Sequence, residues 1–249
     1  QAWELIGKQA THVHRFVAVS QYCAAVMRRR ANLPASKVTV VRNGIDLEGY
    51  DRIRPPVAGA AIGYLARMCP AKGLELLVDA FITMKRTDRI PGLRLRVAGA
   101  MTMADRRFVS KMKRRLAARG LMPWVDFLPN PDRGKKQEFL RSLMAFSVPV
   151  IGGEAFGLYV LEALATGVPV VQPREGPFPE IIEATGGGIL VEPRNAKALA
   201  HGLEEVLIDP RKGRILGQRG RDAVFRDFTS RQMAEGMLEV FREALDRRP

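Results

Sequence analysis

Histidine and cysteine are scarce in this chain of 249 residues, three of the first and two of the second. Cys23 and Cys69 cannot form a disulfide framework or a four-ligand metal site, so a reducing cytoplasm is the expected compartment. His12 and His14 lack a nearby carboxylate partner, and no metal is expected on them. No apolar stretch approaches the roughly 20 residues that a membrane-spanning helix needs. Asp-x-Asp is missing, and so are Gly-x-Gly-x-x-Gly, the Walker-type phosphate loop and Gly-x-Ser-x-Gly. The chain begins at Gln1 without a charged-then-apolar leader, which leaves a processed start or a piece of a longer protein as the two expectations.

What is present is ordinary globular composition, 47% apolar and 27% charged, which excludes disorder and coiled coil as the main organisation. The formal charge is +14, and it is unevenly placed. Residues 54–147 carry 19 basic and 7 acidic side chains, whereas residues 148–249 carry 13 and 15. The densest part is a helical pattern over residues 104–120, with Phe108, Met112 and Leu116 every fourth residue. Arg106, Arg107, Lys111, Lys113, Arg114, Arg115 and Arg119 fill the rest of it. Such a face is either simply solvated or a contact surface for anionic lipid or another polyanion. Nucleic acid is not the expected partner, because no zinc-finger spacing or RRM-type aromatic motif accompanies the charge.

Short apolar runs alternate with amphipathic segments, the pattern of a parallel sheet with helices on both faces. Strands are expected at 16–20, 38–42, 60–66, 93–98, 125–128, 145–150, 168–172 and 188–191. Helices are expected at 22–30, 73–85, 104–120, 135–141, 157–166, 179–184, 196–208, 210–225 and 231–245. The fold class is therefore α/β, a Rossmann-like doubly wound domain over residues 54–228. Residues 1–53 hold too few elements to bury a core unaided, and residues 229–249 form a terminal helix.

The chemistry concentrates in two loops. Gly152-Gly153-Glu154-Ala155-Phe156-Gly157-Leu158 opens a short apolar helix carrying Glu162. Three Glu pairs are spaced eight apart, but only Glu154/Glu162 straddles a glycine-rich loop. Free N–H groups at such a helix start attract an anion, with the two carboxylates placed to accept hydroxyl hydrogen bonds on either side. Earlier, Gly63-Tyr64-Leu65-Ala66-Arg67-Met68-Cys69-Pro70-Ala71-Lys72-Gly73 runs from a strand into a helix. In a parallel sheet both loops emerge at the carboxyl ends of strands, so Arg67 and Lys72 become a cationic pair for a diphosphate.

At these residues the chain resembles the retaining family 4 glycosyltransferases of GT-B architecture. Glu154–Glu162 is similar to their E-x7-E motif, residues 63–73 to their phosphate loop, and Gly167-Val168-Pro169-Val170 and Pro179-Glu180-Ile181-Ile182 to the elements that follow. Residues 17–20 and Asn43-Gly44-Ile45-Asp46 resemble the end of the family's N-terminal domain. The resemblance implies transfer of a sugar from a nucleotide-sugar donor to an unidentified acceptor, with retention and without a metal or other cofactor. It implies catalytic roles for Arg67, Lys72 and Glu154, ribose contact by Glu162, and main-chain contacts from Phe156, Gly157 and Leu158. Pro129 and Asn130 would border the base. It also implies that most of the acceptor-binding N-terminal domain is absent, so that this chain binds donor and does not transfer sugar alone. Met233, Met237, Leu238 and Phe241 are then expected to form a stripe without an intramolecular partner unless residues 1–53 or another chain cover it. The alternatives are a non-catalytic module docking on an anionic membrane or another polyanion through its basic surface, and a nucleotide-sugar epimerase.

Overall fold

A computed structural model describes residues 1–51 and 59–246. The boundary expected at residues 53–54, with Pro55 and Pro56, lies outside the described residues.

The main body is a six-stranded parallel sheet of β3 (Ala61–Leu65), β4 (Arg94–Gly99), β5 (Val125–Pro129), β6 (Ala145–Phe146), β7 (Val170–Pro173) and β8 (Gly188–Val191). Its order is β5-β4-β3-β6-β7-β8, the doubly wound arrangement that reverses direction between β3 and β6. The register there pairs Ile62 with Ala145. Every residue of β3 is buried, as a central strand covered on both faces must be. Helix α3 (Leu74–Thr87) packs on α8 (Ala196–Ile208), while α6 (Leu158–Ala165) and α7 (Phe178–Thr185) pack on α9 (Pro210–Asp227). The core fills the space between, with Tyr64, Phe81, Phe146 and Phe178 among its largest buried side chains.

Residues 1–51 form a smaller unit of α1 (Ala2–Lys8), β1 (Phe16–Ala18), α2 (Gln21–Ala31) and β2 (Val38–Val40), with β1 and β2 in parallel. Helix α1 is not visible in the sequence pattern, because it buries none of its residues and so lacks a strong apolar period. The strand expected at 16–20 is shorter because Ser20 leaves it to cap α2, its hydroxyl accepting from the Cys23 amide at 2.9 Å. His12 closes a 3-10 turn, Ala10–His12.

Helix α10 (Ser230–Asp246) joins the two units. Its Val240 is buried and its Gly236 faces Val41, while Ile45 pairs with Thr229 in an isolated bridge. The expected stripe is thus corrected. Leu238 and Phe241 are 49% and 55% exposed, because they lie about 100° around the helix from the covered line through Met233, Met237 and Val240. The basic helix also differs. It is a 3-10 turn, Met103–Asp105, followed by α4 (Arg106–Ala117), whose buried face is Val109, Met112 and Leu116 with Phe108 to one side. Apolar spacing of three and four follows the 3.6 period better than a strict four. Strand β6 is only two residues long, shorter than the run 145–150 suggested.

Candidate functional site

Chain reversal at the β3/β6 boundary leaves a crevice outside the carboxyl ends of the strands. The loop after β3 carries Arg67 and Lys72, and the loop after β6 carries Glu154. Backbone bonds lock the two loops together: the Ile151 and Gly152 amides both donate to the Ala71 carbonyl, at 3.0 and 3.1 Å. Gly73 makes this approach possible, with φ +73 and the place of a Cβ only 1.8 Å from the Pro149 oxygen.

Lys72 Nζ lies 2.5 Å from Glu154 Oε2 and 5.6 Å from the centre of the Tyr159 ring. The Tyr159 hydroxyl donates to the same carboxylate oxygen at 2.8 Å. Burial, then the Glu154 charge, push that phenol well above its ordinary value, so it remains a donor. Glu154 Oε1 accepts from the Ala155 amide at 3.1 Å. The Ala155 carbonyl in turn accepts from the Ser20 hydroxyl at 2.8 Å, so the small unit reaches this loop directly.

Arg67 is held differently. Its Nε donates to both oxygens of Asp105, at 3.2 and 3.1 Å, and Asp105 accepts from the Thr102 amide and hydroxyl at 2.9 and 2.6 Å. Those Thr102 bonds, followed by the guanidinium, hold the Asp105 carboxyl down at about 2. Half of the Arg67 side chain stays exposed, its NH groups available to an anion.

Helix α6 opens at Gly157 with no side-chain cap. The first-turn N–H groups therefore point out of the helix start, the positive end of its dipole. Phe156 is buried, so only its main chain can serve a ligand, while Leu158 is exposed at the first turn. One turn on, Glu162 Oε1 meets Lys136 Nζ of α5 (Arg133–Arg141) at 2.5 Å.

Two cavities follow the crevice. One, of about 430 Å³, is lined by Arg67, Gly99, Ala100, Asn130, Pro131 and Lys136. The other, of about 410 Å³, is lined by Asp46, Tyr50, Arg133, Lys136, Leu158 and Glu162 among others. Lys136 and Pro131 border both. Asn130 lines the first, but its side chain is spent on a clip: Oδ1 accepts from the Met101 amide at 2.9 Å and Nδ2 donates to the Met101 carbonyl at 3.2 Å. Pro129 ends β5 in register with Gly99 and lines neither cavity, a place that Pro131 takes.

The structure therefore groups the residues in three places on the loops and helix starts that follow the strands: Lys72 with Glu154, Arg67 with Asn130, and Glu162 with Leu158. Such a surface can hold an anion between cations and a helix start, with carboxylates at both ends to accept hydroxyl hydrogen bonds. Among the described residues no three His, Cys, Asp or Glu side chains gather as metal ligands, and no helix is long and apolar enough to cross a membrane.

The family model of glycosyl transferases group 1 matches residues 54–223, well over half of the chain. The chain belongs to that family. A model of glycosyltransferase family 4 matches residues 1–48. Among curated relatives, D-inositol 3-phosphate glycosyltransferase of Saccharomonospora viridis is 29% identical over 84% of this chain and 50% of its own length. Glycogen synthase of Mycobacterium tuberculosis is 28% identical over 83% of this chain and 48% of its own. The chain thus spans about half the length of the curated relatives it matches. A glycosyltransferase of Rickettsia africae superposes with TM-score 0.84 at 20% identity, covering 99% of this chain and 67% of that one. HepE of Anabaena, solved with UDP, gives 0.85 at 20% identity, over 97% of this chain and 67% of its own. At that identity the likeness shows the fold, which is that of GT-B glycosyltransferases.

Within this group 1 chain, four side chains at the crevice escape sequence reasoning: Lys136, Tyr159, Asp105 and Ser20. Tyr159 sits inside the E-x7-E stretch, five residues after Glu154, a spacing that already puts a phenol near that carboxylate on the opening turn. Ser20 has the signal of a helix cap and nothing in the sequence that links it to Ala155.

Proposed function

We propose that this chain supplies the donor-binding half of a retaining glycosyltransferase that uses a nucleoside diphosphate sugar. The observation that carries the reading is the locked pair of loops. It brings Lys72 onto Glu154 beside an uncapped α6 start, with Arg67 fixed by Asp105 along the same crevice. Breaking the bond between the anomeric carbon and the diphosphate leaves new negative charge on the phosphate. Arg67, Lys72 and the α6 N–H groups are the preorganised partners of that charge, each such donor accounting for about 3–4 kcal/mol of the barrier. Glu154 contacts the donor sugar and Glu162 the ribose, while Pro131 and Asn130 border the base. The cations of the chain serve the diphosphate in this reading, so no divalent ion is required.

A protein of the same fold was solved with UDP, the class of ligand proposed here. The chain spans about half of its curated relatives, and the reading gives it donor binding while sugar transfer requires the rest of the two-domain fold. Calorimetric titration with UDP, GDP and ADP, with and without chelator, tests it. One of the three binds, chelator changes nothing, and Arg67→Ala or Glu162→Ala abolishes the signal. Absence of binding by all three overturns the reading. Retention is read from the anomeric configuration of the product once the two halves act together.

A further inference from the structure

The exposed face of α4 has no role in the crevice. Its sequence, Arg106 to Ala117, contains no acidic residue, and five cations besides the half-buried Arg115 lie exposed on it. Arg107 and Arg114 are seven residues apart and fall on one line opposite the buried Val109, Met112 and Leu116. Small exposed residues, Ser110 and Ala117, lie between the cations. Lys111 and Arg115 reach Glu75 of α3, at 3.0 and 3.1 Å. No hydrogen bond or ion pair among the described residues reaches the side chains of Arg106, Arg107 or Arg114.

This arrangement works against the helix itself. Arg106 and Arg107 stand in the first turn, at the positive end of the helix dipole. Arg107 and Lys111 form a like-charge pair at i,i+4, whereas Lys111 and Arg115 share the Glu75 carboxylate and Arg115 also meets Asp79. A stripe that costs stability at both levels suits an anionic partner that neutralises it.

We propose that this face docks on an anionic lipid bilayer. Helix α4 is about 18 Å long for its twelve residues, the line from Arg107 to Arg114 runs along about 10 Å of it, and such a line matches a flat charged surface. Met103, 73% exposed, sits at its head as an apolar contact for the acyl boundary. Single-stranded nucleic acid is the weaker match, because it asks for aromatic platforms. Two rings of the neighbouring segment already carry a lysine: Lys85 lies 3.8 Å over Trp124 and Lys113 4.9 Å over Phe127. The proposal is independent of the nucleotide-sugar reading.

Sedimentation of the full chain with sucrose-loaded vesicles tests it, using phosphatidylcholine alone or with phosphatidylglycerol added. Binding appears only with the anionic lipid and fades as salt rises. Arg107→Gln with Arg114→Gln lowers the partition coefficient about 30-fold, since each cation near such a surface contributes about 1 kcal/mol. Arg107→Lys with Arg114→Lys retains it. Equal binding to neutral vesicles, no vesicle binding, an unchanged double variant, or capture of a single-stranded oligonucleotide in place of vesicles each overturns the proposal.

Discussion

Lys136 Nζ stands 2.5 Å from Glu162 Oε1, and Lys136 lines both cavities while Glu162 lines the second. Both side chains are mostly buried, so the pair is weakly screened. The ammonium takes one carboxylate oxygen and leaves the remaining lone pairs to accept hydroxyls.

Removal of that ammonium leaves Glu162 without its counter-ion beside a bound anion. Lys136→Met is therefore expected to weaken nucleoside diphosphate binding about tenfold, the scale of a charge-assisted hydrogen bond of about 1.5 kcal/mol. Lys136→Arg should keep most of the affinity. Calorimetry decides, and tighter binding by the Met variant would show instead that Lys136 competes with the ligand for Glu162.

The α/β alternation, the sheet and the two loops were legible because each rests on local periodicity and glycine placement. The crevice partners were not. Lys136 lies 26 residues from Glu162, next to Lys135, and nothing local separates the lysine that turns inward from its neighbour, which pairs with Asp132. Asp105 falls inside the helix expected over 104–120 with nothing local to set it apart, yet it is the buried acid that fixes Arg67. Pro129 and Pro131 are two residues apart, and only the exact end of β5 assigns the first to the sheet and the second to the crevice. Boundaries of that kind depend on pairing with β4, which sequence pattern does not resolve.

Asp105 gives a pH signature. Its carboxyl sits at about 2 in the folded chain against an ordinary 3.8, so the native state holds the charged form more strongly than the unfolded chain does. The resulting stabilisation is complete above the ordinary value and disappears as the pH falls from there to about 2. Asp105→Asn should be less stable than the parent at neutral pH and should converge with it across that interval. Urea midpoints measured against pH for both proteins test this, and parallel curves would be the contrary result.

In the proposed reading, Glu154 separates binding of the nucleotide from binding of the sugar. Glu154→Gln keeps an acceptor for the Tyr159 hydroxyl and frees Lys72, whose charge then faces the crevice alone. Nucleoside diphosphate affinity is expected to stay within about threefold, because the cations remain. The additional affinity for a nucleotide sugar should be lost, by about tenfold for a hydroxyl–carboxylate bond. Paired titrations with nucleotide and nucleotide sugar distinguish this from a purely structural role, which would lower both together.

Contact between the two loops makes a last contrast, in two glycines. Gly73 and Gly153 both have positive φ, +73 and +84, so alanine is strained at either. Their surroundings differ. A Cβ on Gly73 would fall 1.8 Å from the Pro149 carbonyl oxygen, whereas nothing lies within 4 Å of one on Gly153. Gly153→Ala should therefore cost only its backbone strain, about 1 kcal/mol, and lower Tm by about 2–4 °C in a chain of this size. Gly73→Ala must move backbone that cannot yield cheaply, and should cost over about 3 kcal/mol or prevent folding. Thermal melts of the two variants compare them directly. Equal losses would mean that the β3 and β6 loops do not touch as described, and the grouping of Lys72 with Glu154 would go with them.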